Sequence, residues 1–193
     1  TYDFNRSIQD GATVPLYYEN RGEKLKLHNP QINEDIREAI EQQDLDSNQE
    51  DKLKKLFARE YPILTSEKRL RAIAKDVVQH FNTRGYKGKA MFVALDKVTA
   101  VKMYDYITEA WEDYLEQQQK EINNIQDEQE QLGRQQQWNW SKETEIAVVV
   151  SHEQNEIEKF EAWGLDIEPH RLKMNTSDLA KDFKDEDHPF RFA

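Results

Sequence analysis

Ser66-Glu-Lys-Arg-Leu-Arg-Ala-Ile-Ala-Lys-Asp-Val-Val-Gln-His-Phe81, then Gly88-Lys-Ala-Met-Phe-Val-Ala-Leu95, then Asp96-Lys-Val-Thr-Ala-Val-Lys-Met-Tyr-Asp-Tyr-Ile107 read as helix, strand and helix in immediate succession. Leu70, Ile73, Val77 and Phe81 recur at three- and four-residue steps with Ala74 on the same side, so one face of the first helix is apolar and has to lie on a sheet. Met91 to Leu95 is apolar at every position, the pattern of a strand covered on both faces. Asp96 stands where a carboxylate caps the next helix. That order is half of a parallel crossover unit, and in open α/β sheets ligands bind where the carboxyl ends of strands meet helix starts.

Downstream, helical patterning continues from 97 to 137. Straight, such a helix would be about 60 Å long, so it has to break or fold back before the chain re-enters the sheet at Glu145-Ile-Ala-Val-Val-Val150. Ala100, Tyr104, Ile107, Trp111 and Leu115 form a face fit for a core. Beyond them a glutamine-rich excursion over about 116–140 has only Ile122, Ile125 and Leu132 as scattered apolar positions, with Gly133 as its expected stop and Trp138 and Trp140 flanking the return. It reads as a solvated helical excursion or as a contact helix for another chain. Val148 to Ser151 follows as a buried strand, Glu153 to Trp163 as a helix closed by Gly164, and Thr176-Ser177-Asp178 as the start of a last helix through Phe183. Pro189-Phe-Arg-Phe-Ala193 reads as a strand cut short. Residues 65–193 are thus expected to be α/β, an incomplete parallel sheet with flanking helices and helical insertions.

Upstream, Tyr2 to Asp10 reads as a short helix stopped by Gly11, and Thr13 to Tyr18 as a strand that Pro15 confines to an edge or a bulge, both within a segment 1–20. Residues 21–64 read as a polar helical hairpin, with one stripe of Ile32, Ile36 and Ile40 and another of Leu53, Leu56 and Phe57, punctuated by Pro30 and Pro62.

The 193 residues bury one real core and at most a second small one. With no cysteine there is neither a disulfide nor a cysteine-ligated zinc, and with no long apolar run or leader pattern the default is a soluble cytoplasmic chain without membrane contact. A net charge of -11 argues against a surface devoted to nucleic acid. Lys68 to Lys75, with Arg84, Lys87 and Lys89, nevertheless form a locally basic zone.

Apparent motifs dissolve on inspection. Gly85-Tyr-Lys-Gly88-Lys89-Ala90 lacks the spacing and the hydroxyl of a phosphate-binding loop and precedes a strand, so it reads as a turn. Asp185-Glu-Asp-His188 follows a helix and precedes a strand, the reverse of an acidic magnesium box, and reads as a surface turn. His152-Glu-x-x-Asn155-Glu156 lacks the second histidine of a zinc helix, and His28, His80 and His170 have no partner at ligand spacing, so no metal site and no catalytic residue is expected. What remains are polar groups at strand ends: Asp96, Lys97 and Thr99 after one strand, Ser151 and His152 after the next.

Asp10-Gly-Ala-Thr-Val-Pro-Leu-Tyr-Tyr-Glu19, Ile73-Ala-Lys-Asp-Val-Val-x-His80-Phe81, Gly88-Lys-Ala-Met91 with Ala100-Val-x-x-Tyr104, and Leu179-Ala-x-x-Phe183-Lys-Asp with Pro189-Phe190 together resemble the restriction subunit of type I restriction-modification enzymes. The resemblance implies a superfamily 2 helicase-type translocase with two RecA-like lobes and a nuclease, of which this chain is a middle slice. Residues 1–20 would connect the lobes, and 65–193 would be most of the second. It implies ATP and magnesium as cofactors of the whole protein, double-stranded DNA and the modification and specificity subunits as partners, and cleavage of foreign DNA as the outcome. The slice alone would be inactive and bind neither cofactor. Lys97, Thr99 and Ser151 occupy the positions from which such a lobe grips DNA phosphates. The family usually carries Ser or Asn then Arg where Asp96-Lys97 stands, and Asp96 would repel phosphate. The ordinary alternatives are a solvated lysine at a helix start for Lys97 and a cap of the helix beginning at Glu153 for Ser151. For the chain they are a non-enzymatic helical interaction module or the second lobe of another superfamily 2 helicase.

Overall fold

The computed structural model describes residues 6, 8, 10–14, 17–19, 21, 61, 62 and 64–193. The chain divides into two units, Thr1–Glu50 and Asp51–Ala193. In the first, Arg6 and Ile8 are helical and the helix ends where expected: the Asp10 amide donates to Arg6 O at 2.9 Å, and Gly11 takes a φ of +69° that a side chain would resist. Thr13, Val14, Tyr17 and Tyr18, the described residues of the expected strand, are not in a sheet and are exposed. The helical hairpin expected over 21–64 lies outside the described residues apart from Arg21 and the helical Tyr61, Pro62 and Leu64.

The second unit is built on two long helices. Helix α1 (Glu67–Thr83) buries Leu70, Ala74, Val78 and Phe81, with Ile73 and Val77 half-covered beside them. Helix α2 (Lys97–Ile122) is the spine. Met103, Ile107, Ala110 and Trp111 pack against α1, while Val101 joins a second cluster with Val148, Phe160 and Ile167. An α-helix covered on two sides needs more than one apolar stripe, which is why its buried set is wider than the single face of Ala100, Tyr104, Ile107, Trp111 and Leu115.

The long helical run breaks at 123–127, not at Gly133. Asp127 then caps α3 (Glu128–Lys142), its carboxylate accepting from the Glu130 amide at 2.8 Å. Gly133 lies inside α3 with no neighbour within 4 Å of where a Cβ would be. The return is fixed by polar bonds from α3 to α2 and to α1: Trp138 Nε1 donates to Leu115 O at 2.9 Å, Trp111 Nε1 to Ser141 O at 3.1 Å, and Ser141 Oγ to Asn82 Oδ1 of α1 at 2.6 Å. Trp140 stacks on Phe81, whose ring also meets Trp111 and Phe192. The excursion is therefore a helical hairpin whose second arm re-enters the core at Trp138 to Ser141.

The sheet is small and parallel. β1 (Glu145–Ile146) pairs with β2 (Phe190–Phe192), and the 90–92 segment flanks the other side of β2. The Ala90 amide donates to Arg191 O at 2.8 Å, Ala193 N to Ala90 O at 3.0 Å and Phe92 N to Ala193 O at 2.7 Å. Across the other edge, Glu145 N reaches Pro189 O at 2.7 Å and Ala147 N reaches Phe192 O at 3.1 Å. The last strand of the chain is thus the middle one. The Met91 to Leu95 stretch departs from expectation: Phe92 faces the helices, but Met91 is 67% and Val93 82% exposed, because no layer of described residues covers that second face. Three helices lie between β1 and β2: α4 (Glu156–Glu161), α5 (Glu168–Thr176) and α6 (Leu179–Lys184). Gly164, with φ +70°, closes the turn after α4, and Asp178 caps α6. Helix α5, opened by Pro169, was not foreseen.

Two substitutions probe this account. Gly133→Ala should raise stability by about 0.5–1 kcal/mol, since the site is helical and open. Phe81→Ala should lower it by about 3–4 kcal/mol by opening the aromatic cluster. Urea unfolding measures both, and a loss of stability in Gly133→Ala would contradict the continuous α3.

Candidate nucleic-acid interface

Beside the ladder, the 90–95 segment and the chain after β1 line a cleft of about 540 Å³ with mostly apolar walls that include Met91, Val93, Val149 and Phe183. Lys97 and Ser151 both line it. Two residues 54 positions apart in sequence are brought to one edge because their strands are parallel and flank the same partner.

Lys97 is the first residue of α2. Its ammonium is 3.3 Å from the Glu153 carboxylate, which also pairs with Lys159. Hydrogen bonds from Lys159 and then Lys97 hold the Glu153 carboxyl below its ordinary value. Lys97 is therefore neither a free solvated lysine nor a buried one: it stands at the cleft, shared with an acid. Asp96 is the cap the sequence pointed to, accepting from the Thr99 amide at 2.7 Å. Burial works against its ionisation, but hydrogen bonds from the Tyr61 hydroxyl and from Thr99, with Lys102 nearby, outweigh it and keep the carboxyl below the usual range. Thr99 is 4% exposed and serves that cap, so it presents no surface to a ligand.

Ser151 is exposed and lies well ahead of the next helix. That helix begins at Glu156, not Glu153, and its N-cap is Asn155 in the left-handed region at φ 55°. Ser151 does not cap it. What fixes Ser151 is Arg171, from α5: Nη2 donates to Ser151 O at 2.8 Å and Nη1 to Val150 O at 2.8 Å, while Nε and Nη2 take the Glu156 carboxylate at 2.6 and 2.8 Å. The Glu156 side chain is 7% exposed, and the hydrogen bond from Arg171 is the main reason its carboxyl lies below the ordinary value despite burial. Sequence reasoning missed Arg171. No element is assigned to residues 165–175 from sequence, and nothing there marks Arg171.

Part of the basic zone is already engaged. Arg71 pairs with Glu67 and Glu109, and Lys89 donates to Asp182 O at 2.8 Å. Arg84 donates to Gly88 O at 2.6 Å and lies over the rings of Phe81 and Tyr86. Arg84 thereby spans the Gly85 to Gly88 turn. The 185–188 segment is a turn leading to β2, as read from sequence. Among the described residues, no helix is long and apolar enough to cross a membrane.

The depressed carboxyls of Asp96 and Glu156 act in one direction. Their ordinary values are 3.8 for Asp96 and 4.5 for Glu156, so their stabilisation is complete above about pH 4.5 and is lost as pH falls through the lower folded values. Thermal melts from pH 6 down to about pH 3 should show a falling midpoint. The fall should be shallower in Arg171→Ala, a variant already about 2 kcal/mol less stable at neutral pH. An equal slope in both would remove Glu156 from the account.

Residues 1–52 match the family model for the SWI2/SNF2 ATPase. Over 187 residues, 95% of this chain, the sequence is 30% identical to a protein of Methanocaldococcus jannaschii named as the endonuclease subunit of the type I restriction enzyme MjaIXP. The chain spans 14% of that relative's length. No solved structure matches. Along nearly all of its own length, the chain is a homologue of one part of a type I restriction enzyme endonuclease subunit.

Proposed function

We propose that this chain is part of the ATP-driven DNA-translocating motor of a type I restriction endonuclease, residues 65–193 being most of its second RecA-like lobe. One observation carries the reading furthest. The parallel segments flanking β2 deliver Lys97 and Ser151 to a single carboxyl-edge cleft, the edge at which α/β folds bind ligands. Similarity to a restriction endonuclease subunit along 95% of the chain, and to a SWI2/SNF2 ATPase over residues 1–52, supports the same assignment.

On this reading Lys97 supplies a charge and Ser151 a hydroxyl to successive phosphates of one DNA strand, and DNA displaces Glu153 from Lys97. The whole subunit would act in the cytoplasm on double-stranded DNA together with modification and specificity subunits. ATP and magnesium would be held by parts of that subunit outside this chain, which would be catalytically silent alone.

The 193-residue chain should therefore show no DNA-stimulated ATP hydrolysis above a buffer control. It should bind a labelled duplex weakly, and only at low salt, since a chain of net charge -11 repels DNA beyond the contact itself. Lys97→Ala should weaken binding and reduce the slope of log K against log salt by about 0.9, the release of one counterion. Persistent ATP turnover after repurification would contradict the first expectation, and an unchanged slope in Lys97→Ala would remove that residue from the interface.

A further inference from the structure

We propose that Arg171 is the positioning residue of this interface, orienting the backbone around Ser151 so that it offers donors to a nucleic-acid phosphate. The inference rests on the reading of the cleft given above and assigns it a residue that touches no phosphate itself.

The two carbonyls that Arg171 holds, Val150 O and Ser151 O, belong to the two peptide groups on either side of the Ser151 Cα. In a planar trans peptide the C=O and N–H point in opposite directions. With both carbonyls turned to one guanidinium, the amides of Ser151 and His152 point away from α5. Ser151 lines the cleft and Arg171 does not. Arg171 thus places two amide donors, with the Ser151 hydroxyl between them, on the side away from itself.

Only an arginine performs this at one position. The fork donates at once to two carbonyls and a carboxylate, whereas a lysine ammonium at the end of a flexible stem has no such fixed geometry. Glu156 neutralises the guanidinium and also accepts from the Glu153 amide at 3.3 Å, tying the start of α4 to the same point. His152 lies 3.7 Å from Glu156 and is the other titratable group on that carboxylate. Because Glu156 and Arg171 cancel in charge, Arg171 contributes geometry to the cleft and adds no net attraction for an anion. Positioning and direct contact therefore leave different traces in the salt dependence.

The test uses the full 193-residue chain and a fluorescein-labelled DNA duplex, read by anisotropy over a salt series. Ser151→Ala and Arg171→Lys are compared with the parent, and a cooperative thermal transition confirms that Arg171→Lys, which keeps the ion pair, remains folded. Both variants should bind about tenfold more weakly with the parent's salt slope, as loss of neutral donors to a charged group predicts. In Arg171→Lys the Ser151 and His152 amides should also shift and exchange with solvent at altered rates. Parent-like binding or unchanged amides in Arg171→Lys, when Ser151→Ala is weakened, would overturn the positioning role while leaving the cleft intact. A slope reduced by about 0.9 in Arg171→Lys would overturn it too, since Arg171 would then be a direct phosphate ligand. If the parent binds no DNA at low salt, or Ser151→Ala binds as the parent does, the reading of the cleft fails and the positioning role fails with it.

Discussion

The backbone of Pro189 to Ala193 accepts or donates hydrogen bonds on both of its edges, and the second unit depends on that arrangement. Phe190 and Phe192 are buried and Arg191 nearly so, so a strand placed there without partners would leave several polar groups dry, at about 1–3 kcal/mol each. Its partners come from segments some 45 and 100 residues earlier in the chain. Parallel pairing over such distances requires crossovers, and α2 with α3 and then α4 to α6 are those crossovers. Phe192 then reaches Phe81 and Trp111 on the helices, so the ladder and the aromatic cluster support one another. Arg191 is tolerated at this depth because its guanidinium donates to Trp140 O and Thr144 Oγ1 and lies over the Trp140 ring.

Local chemistry made much of this visible beforehand. The apolar face of α1, the cap at Asp96, the glycine closing the turn after α4 and the cap at Asp178 are each decided by a few neighbouring residues, and short-range rules apply to them. The break at 123–127 was harder, because asparagine and aspartate signal a turn less strongly than the glycine ten residues later. Tertiary contacts through Trp138 and Trp140 outweigh the helix penalty of Gly133, about 1 kcal/mol. The Met91 to Leu95 run suggested two covered faces because composition reports what a strand prefers beside it, not what lies there. At the cleft, the parallel pattern put Lys97 and Ser151 on one side of the sheet, but the buried strand expected over Val148 to Ser151 is absent: β1 ends at Ile146, and Val149 is 60% exposed. Arg171 was not legible, because its partners are 15 to 21 residues away and no periodicity marks a side chain that serves backbone carbonyls.

Charge is the remaining constraint on the cleft. Several cations near the sheet already have partners: Lys89 and Lys173 lie over the rings of Phe183 and Phe190, and Arg191 over that of Trp140. The Lys97 and Glu153 pair stands at the cleft itself, with side chains 31% and 40% exposed. Ion pairs this open contribute at most about 1 kcal/mol, because water already screens them. Glu153 does not become an isolated charge when Lys97 leaves it, since Lys159 remains bound to the same carboxylate. Exchange of Lys97 from carboxylate to phosphate thus costs little, whereas the Glu156 and Arg171 pair beneath it, less exposed and bonded through several donors, would cost much more to open. On the proposed reading the edge combines one charge able to change partner with a fixed backbone frame, the division of labour expected of a site that has to hold a phosphate and then release it.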